Sequence, residues 1–209
     1  MNRIERSQKK YEELFLNPQT LNLKDPEFMT QLQRLIFGEV FYVGDLTDRQ
    51  RELITCSVLT VLQTLPQLKA HLNAALNVGV LPLELKESLY QCAPFIGYPR
   101  TLNAVNVLNE VLEDRHISLP LDNQTSIKDE ERYEKGLEIQ KELYGDEIKD
   151  RYRYLPDDVG EALPRFLTEW CFGDCYTRKV LDIPTRELLI FCILTALNAS
   201  GQLYAHALG

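Results

Sequence analysis

The chain has 209 residues, 44% hydrophobic and 26% charged, a balance that lets it bury a core as one or two domains and excludes a disordered chain. Its formal charge of -8, with Lys and Arg scattered, leaves no basic patch for nucleic acid or an anionic membrane surface. No apolar run approaches the length of a membrane span, and the charged start, Met1 to Tyr11, is unlike a signal peptide, so a cytoplasmic protein is expected.

Apolar residues fall at three- and four-residue steps almost throughout, which predicts an all-α chain. A first helix is expected over Arg3 to Phe15, stopping before Asn17-Pro18. A second runs from the cap-plus-proline start Asp25-Pro26 to Phe37 and is ended by Gly38. Thr47 can cap a third helix, with Gln50 completing a weak capping box, that continues to about Gln63. Pro66 opens a fourth to Val78, where Gly79 supplies a left-handed stop, and Pro82 opens a fifth to about Ala93. Gly97-Tyr98-Pro99 should break the chain before a sixth helix, Thr101 to about Arg115, whose Leu102, Val105, Leu108 and Val111 or Leu112 form one stripe.

Pro120, Asp122, Asn123 and Ser126 then mark a linker. The expected organisation is a helical unit over residues 1–118, a linker over 119–128 and a second unit over 129–209. Glu130 to Tyr144 resembles the first helix in kind, Val159 to Phe172 the second and Pro184 to Ala199 the third, while Gln202 begins a fourth that the chain does not finish. The second unit thus lacks a counterpart of Gly79 to Leu112. Its apolar face, Leu188 to Leu203, is expected to be covered by the first unit or by another subunit.

The strongest internal signal is that Phe37 to Ala74 recurs, without a gap, as Phe172 to Gly209. A shared helical core explains the coinciding leucines. It does not require the polar matches: Arg51, Glu52, Thr60, Gln67 and His71 in one copy, Arg186, Glu187, Thr195, Gln202 and His206 in the other. Across an antiparallel hairpin these faces could meet. A regular hairpin sets His71 opposite about Leu59 and leaves Glu52 roughly 10 Å further along the axis, a gap for a water or a small substrate. Taken singly, Glu52 could only favour the positive end of its helix, His71 could be a core histidine bonded to a carbonyl, and Gln67 a cap near Pro66.

Five cysteines, an odd number at irregular spacing, argue against a disulfide framework. Only Cys171 and Cys175 could share a helical face, and Gly173 between them is expected to end that helix. Three widely spread histidines do not form a metal-ligand set, and no phosphate-cradling glycine loop or nucleophile elbow is present, so chemistry without a cofactor is expected.

Phe37-Gly38-Glu39-Val40, Arg51-Glu52-Leu53 with the apolar helix after it, His71 with Leu76-Asn77-Val78-Gly79-Val80, and Gln91 followed by Pro94 to Arg100 resemble the carboxymuconolactone decarboxylase family, which includes the alkylhydroperoxidase D-like proteins. Arg132 to Leu137, Leu143-Tyr144-Gly145-Asp146 and Phe172-Gly173-Asp174 with Arg178 carry the resemblance into the second half. It implies an all-α fold, assembled with copies of itself into trimeric or hexameric rings, with sites near subunit contacts. The peroxidase branch uses a C-x-x-C-x-x-x-H motif, whereas Thr64 and Gln67 precede His71 here, and Ala199 and Gln202 precede His206.

The decarboxylase branch fits better, and implies a small carboxylate or lactone as partner. Such a reaction needs a cation for the carboxylate, a donor at the developing oxyanion and an acid to protonate carbon. Glu52, His71, Glu187 and His206 are the catalytic candidates, and Arg51, Arg178, Arg186, Gln67 and Gln202 the substrate-binding ones. Val43 stands where Arg178 has its counterpart, so the two sets should be unequal. The competing readings are a thiol-dependent antioxidant protein using Cys171 and Cys175, and a non-catalytic oligomeric binding module.

Overall fold

The computed structural model describes residues 1–19, 24–146, 152 and 154–207, and among them every regular element is helical. Helix α1 spans Arg3–Phe15, opened by Asn2 and Glu5 in a reciprocal capping box. Helix α2, Pro26–Ile36, has proline in its first turn. Helix α3, Asp48–Leu62, carries the Thr47 and Gln50 box, and Gln63 ends it in the left-handed conformation. Helices α4 (Leu65–Asn77), α5 (Pro82–Tyr90) and the four-residue α6 (Ala93–Ile96) follow. Then come α7 (Tyr98–Asp114), α8 (Arg132–Tyr144), α9 (Val159–Phe166), α10 (Ile183–Ala196) and α11 (Ser200–His206). Among the described residues no helix is long and apolar enough to cross a membrane.

The main core gathers Leu53, Leu68, Leu72, Leu85, Leu89 and Leu108 from the first half and takes in Leu181 and Leu189 from the second. Each such side chain contributes about 1.5–3 kcal/mol on leaving water. Helix α10 crosses α3, and Ile193 packs with Val61 and Cys92. The apolar face of α10 is therefore covered within one chain: Leu189, Ile190, Ile193 and Leu194 are each no more than 1% exposed. The stretch between α7 and α8 is fastened to the second half, since Lys179 N–H donates to the Gln124 carbonyl and the Ser126 hydroxyl to that of Thr177.

Several expected boundaries fall elsewhere: α5 stops at Tyr90 rather than about Ala93, and α10 at Ala196 rather than Ala199. Helix α7 begins at Tyr98 instead of Thr101, because Pro99 sits in its first turn, where a missing N–H costs nothing, and the break is confined to Gly97 at φ +79°. Gly173 does not end a helix: α9 continues as a π-helical stretch from Leu167 to Tyr176. The glycine is required by a close crossing, for a Cβ there would come within 2.5 Å of the Arg132 carbonyl oxygen. Gly38 meets the Arg3 carbonyl in the same way, at 2.4 Å. An ion pair seals each crossing, Arg3 with Glu39 and Arg132 with Asp174.

Candidate active site

The turn from α3 to α4 uses only Gln63 and Thr64, so the mirror position of His71 across the hairpin is Cys56 rather than Leu59. Glu52 is then one helical turn away, about 6 Å of rise, which two long side chains span. His71 Nδ1 lies 2.8 Å from Glu52 Oε2, and the expected 10 Å gap is corrected to a direct contact. Glu52 is wholly buried, and its other oxygen, Oε1, has no hydrogen-bond partner among the described residues. Phe15, at the end of α1, sets its ring edge-on to His71 with centroids 5.7 Å apart.

The second couple repeats the contact, with His206 Nδ1 2.6 Å from Glu187 Oε2, and surrounds it differently. Tyr144, at the end of α8, donates its hydroxyl to Glu187 Oε2 at 2.7 Å, and the same oxygen lies 2.6 Å from His206 Nδ1. The Tyr176 hydroxyl donates to Glu187 Oε1. Both carboxylate oxygens are filled. Burial by itself would raise the Glu187 carboxyl, but hydrogen bonds from His206, Tyr176 and Tyr144 outweigh it and hold the group below the usual carboxylate range. Burial and the neighbouring Glu187 charge push both phenols well above theirs, so they stay protonated donors.

Neither tyrosine is a sequence candidate. In the gapless alignment Tyr176 falls on Phe41, and α8 laid on α1 puts Tyr144 on Phe15. The signal was there as two Phe-to-Tyr differences between the copies, both adding a hydroxyl where a Glu–His couple lies.

The second couple opens onto a cavity of about 840 Å³, whose walls include Tyr144, Phe172, Leu194 and His206. Phe95, on α6, closes one side, so the first half contributes to it. Its size falls in the ordinary range for small-molecule sites. Gln202 and Asn198 stand at the wall with amide groups, and among the described residues no Lys or Arg lines it.

The candidate arginines are engaged elsewhere. Arg51 donates to the carbonyls of Leu46, Val40 and Val43, and Arg186 donates to that of Arg178, the counterpart of Val43. Both therefore clasp the loop before their own helix. Arg186 is 1% exposed, also binds Gln91 Oε1, and burial lowers its guanidinium from its ordinary value. Arg178 grips the fully buried Glu87 with two bonds, 2.6 and 2.9 Å. The repeated threonines return their hydroxyls to their own helices, Thr60 to Cys56 and Thr195 to Phe191. Gln67 is exposed on α4.

Cys171 and Cys175 are buried reduced thiols. Burial raises both, with Cys175 pushed up to about 12, so neither is a thiolate at neutral pH. Among the described residues no group of three or more His, Cys, Asp or Glu could hold a metal ion.

Against known proteins, a family model described as the carboxymuconolactone decarboxylase family matches residues 26–110. The chain is 33% identical over 100 residues to the 4-carboxymuconolactone decarboxylase of Acinetobacter baylyi, covering 48% of this chain and 75% of that protein. It is 28% identical over 78 residues to the nitrosuccinic acid decarboxylase npaB of Metarhizium robertsii, covering 37% of this chain and 54% of that protein.

Proposed function

Since this chain belongs to the carboxymuconolactone decarboxylase family, we propose that it releases carbon dioxide from a small carboxylic acid at the Glu187 and His206 couple, without a cofactor. The observation that carries this reading is the opening of a fully hydrogen-bonded Glu–His–Tyr cluster onto a cavity of small-molecule size. The two relatives are named for acids that share one property. In each, loss of carbon dioxide leaves an electron pair that a neighbouring group, a conjugated lactone carbonyl or a nitro group, can absorb.

The bond between the carboxylate carbon and the substrate breaks, its electron pair moves into that acceptor, and a proton must then reach carbon. The apolar walls favour the first step, because a carboxylate is poorly solvated there and neutral carbon dioxide is not. Gln202 and Asn198 offer amide N–H groups to the oxygen on which charge develops. His206, at the wall, brings an imidazole, whose two ring nitrogens can give and take a proton.

The same reading takes residues 1–118 and 129–209 as two versions of one helical unit. It also includes self-association into a trimer or hexamer, through the exposed stripes Phe28, Leu32 and Leu35 on α2 and Val159, Leu163 and Phe166 on α9. Light scattering that gives a monomer mass would remove that part.

The test is carbon dioxide release from 4-carboxymuconolactone and from nitrosuccinic acid by the purified chain. Turnover of either, lowered roughly 10²- to 10⁴-fold by His206→Ala, supports the proposal. Failure to turn over both overturns it.

A further inference from the structure

Resting on decarboxylation at the second couple, we infer that Tyr144 is the acid that delivers the proton to the substrate carbon, and that Phe15 in its place leaves the first couple silent. Three atoms carry the inference: Tyr144 Oη, Glu187 Oε2 and His206 Nδ1 lie within 2.6–2.7 Å of one another. Tyr144 and His206 line the cavity, whereas Glu187 stands behind them. Of the two cavity-facing groups, the phenol is the one that the first couple lacks.

The donors and acceptors define the direction of transfer. With Glu187 ionised, Oε2 accepts from both Tyr144 O–H and His206 Nδ1–H, and Oε1 accepts from Tyr176. When carbon dioxide has left and its electron pair rests in the acceptor group, Tyr144 gives its proton to carbon, forming the new C–H bond. In the same motion Tyr144 Oη takes the Nδ1 proton of His206, 2.6 Å away, so that no phenolate stands beside the Glu187 carboxylate. His206 takes a proton from water at Nε2 as it gives one at Nδ1, and the resulting Nε2–H tautomer exchanges with water back to Nδ1–H before the next turnover. The net change is carboxylate plus one solvent proton to carbon dioxide plus the protonated product, with every side chain restored.

Tyr176 has a different part. Its hydroxyl meets Glu187 on the oxygen away from Tyr144 and His206, and it does not line the cavity, so it is a positioning residue that keeps the carboxylate turned toward the other two. In the first half the corresponding rings are Phe15 and Phe41. Among the described residues Glu52 Oε1 has no donor, and His71 faces an aromatic edge in place of a hydroxyl.

The experiment measures initial rates of carbon dioxide release from 4-carboxymuconolactone, with nitrosuccinic acid as second substrate, for the wild type, Tyr144→Phe, Tyr176→Phe and His71→Ala. Circular dichroism and the thermal midpoint are recorded for each. Tyr144→Phe removes one hydroxyl and leaves the ring, the side chain that the first half already accommodates. The expected result is a kcat loss of about 10²-fold or more for Tyr144→Phe with KM within about threefold. Tyr176→Phe should lose less than about tenfold, and His71→Ala less than about twofold. A Tyr144→Phe loss of tenfold or less, a Tyr176→Phe loss as large as that of Tyr144→Phe, or a His71→Ala loss comparable with either overturns the assignment while leaving the decarboxylase reading in place. A wild type inert on both acids overturns the decarboxylase reading itself, and the assignment with it, so the two failures are told apart by the wild-type rate.

Discussion

Glu52 and Glu187 each hold an imidazole at less than 3 Å, yet one carboxylate has a bare buried oxygen and the other has hydroxyl donors on both. The helices that place the couples are alike, down to a glycine pressed against an arginine carbonyl at each crossing. What differs is two rings, Phe15 and Phe41 against Tyr144 and Tyr176. Recurrence of a Glu–His pair therefore does not fix its chemistry. The neighbours decide whether the carboxylate is bonded to its imidazole alone or joined to hydroxyls on both oxygens.

The largest effect on stability should come from giving the second half the first half's residue where they differ in charge. Arg178→Val leaves Glu87, fully buried, without its bidentate partner, and should cost about 3 kcal/mol or more, read as a lower urea midpoint. Next in size are the crossings. Gly38→Ala and Gly173→Ala each push a Cβ into a backbone oxygen, at about 1–3 kcal/mol. They should part company in the turnover assay: Gly173→Ala displaces the stretch that carries Tyr176 and lowers the rate of the folded fraction, and Gly38→Ala does not.

A smaller change would make the two couples more alike. Phe41→Tyr offers Glu52 Oε1 the donor that Tyr176 gives Glu187, and should raise stability by about 1 kcal/mol. No gain, or a loss, would mean that the short 3₁₀ turn at Val40–Tyr42 aims this ring elsewhere. The smallest effect is in acid. Because the folded protein holds the Glu187 carboxyl below its unfolded value, the group contributes stability that is complete above about pH 4.3 and is lost as pH falls through the native value. The double variant Tyr144→Phe, Tyr176→Phe should therefore begin acid unfolding at a higher pH than the wild type, in urea midpoints taken from neutral pH downward.

Local chemistry made most of the helices legible. The Thr47 box, the prolines that open α2 and α5, and Gly79 at φ +85° all act within one turn of chain, so the sequence carries them openly. Gly173 reads as a helix end because a glycine needed for a close crossing has the same letter as one that ends a helix. The recurrence drew attention to Glu52 with His71 and Glu187 with His206, which the fold does bring into contact. It also drew attention to Arg51 and Arg186, whose repetition reflects a loop clasp. Tyr144 stayed hidden because it reaches Glu187 from 43 residues away and His206 from 62, and no local spacing encodes that meeting. The register of the hairpin depended on the two-residue length of the α3–α4 turn, which set the difference between a gap and a hydrogen bond.

The central claim, that the second couple works and the first does not, is met most directly by one side-by-side rate measurement. Carbon dioxide release from 4-carboxymuconolactone would be followed at neutral pH for His206→Ala and His71→Ala, each normalised to folded protein. The expected result is a loss of about 10²-fold or more for His206→Ala and a rate within about twofold of wild type for His71→Ala. Equal losses, or a loss confined to His71→Ala, would contradict it.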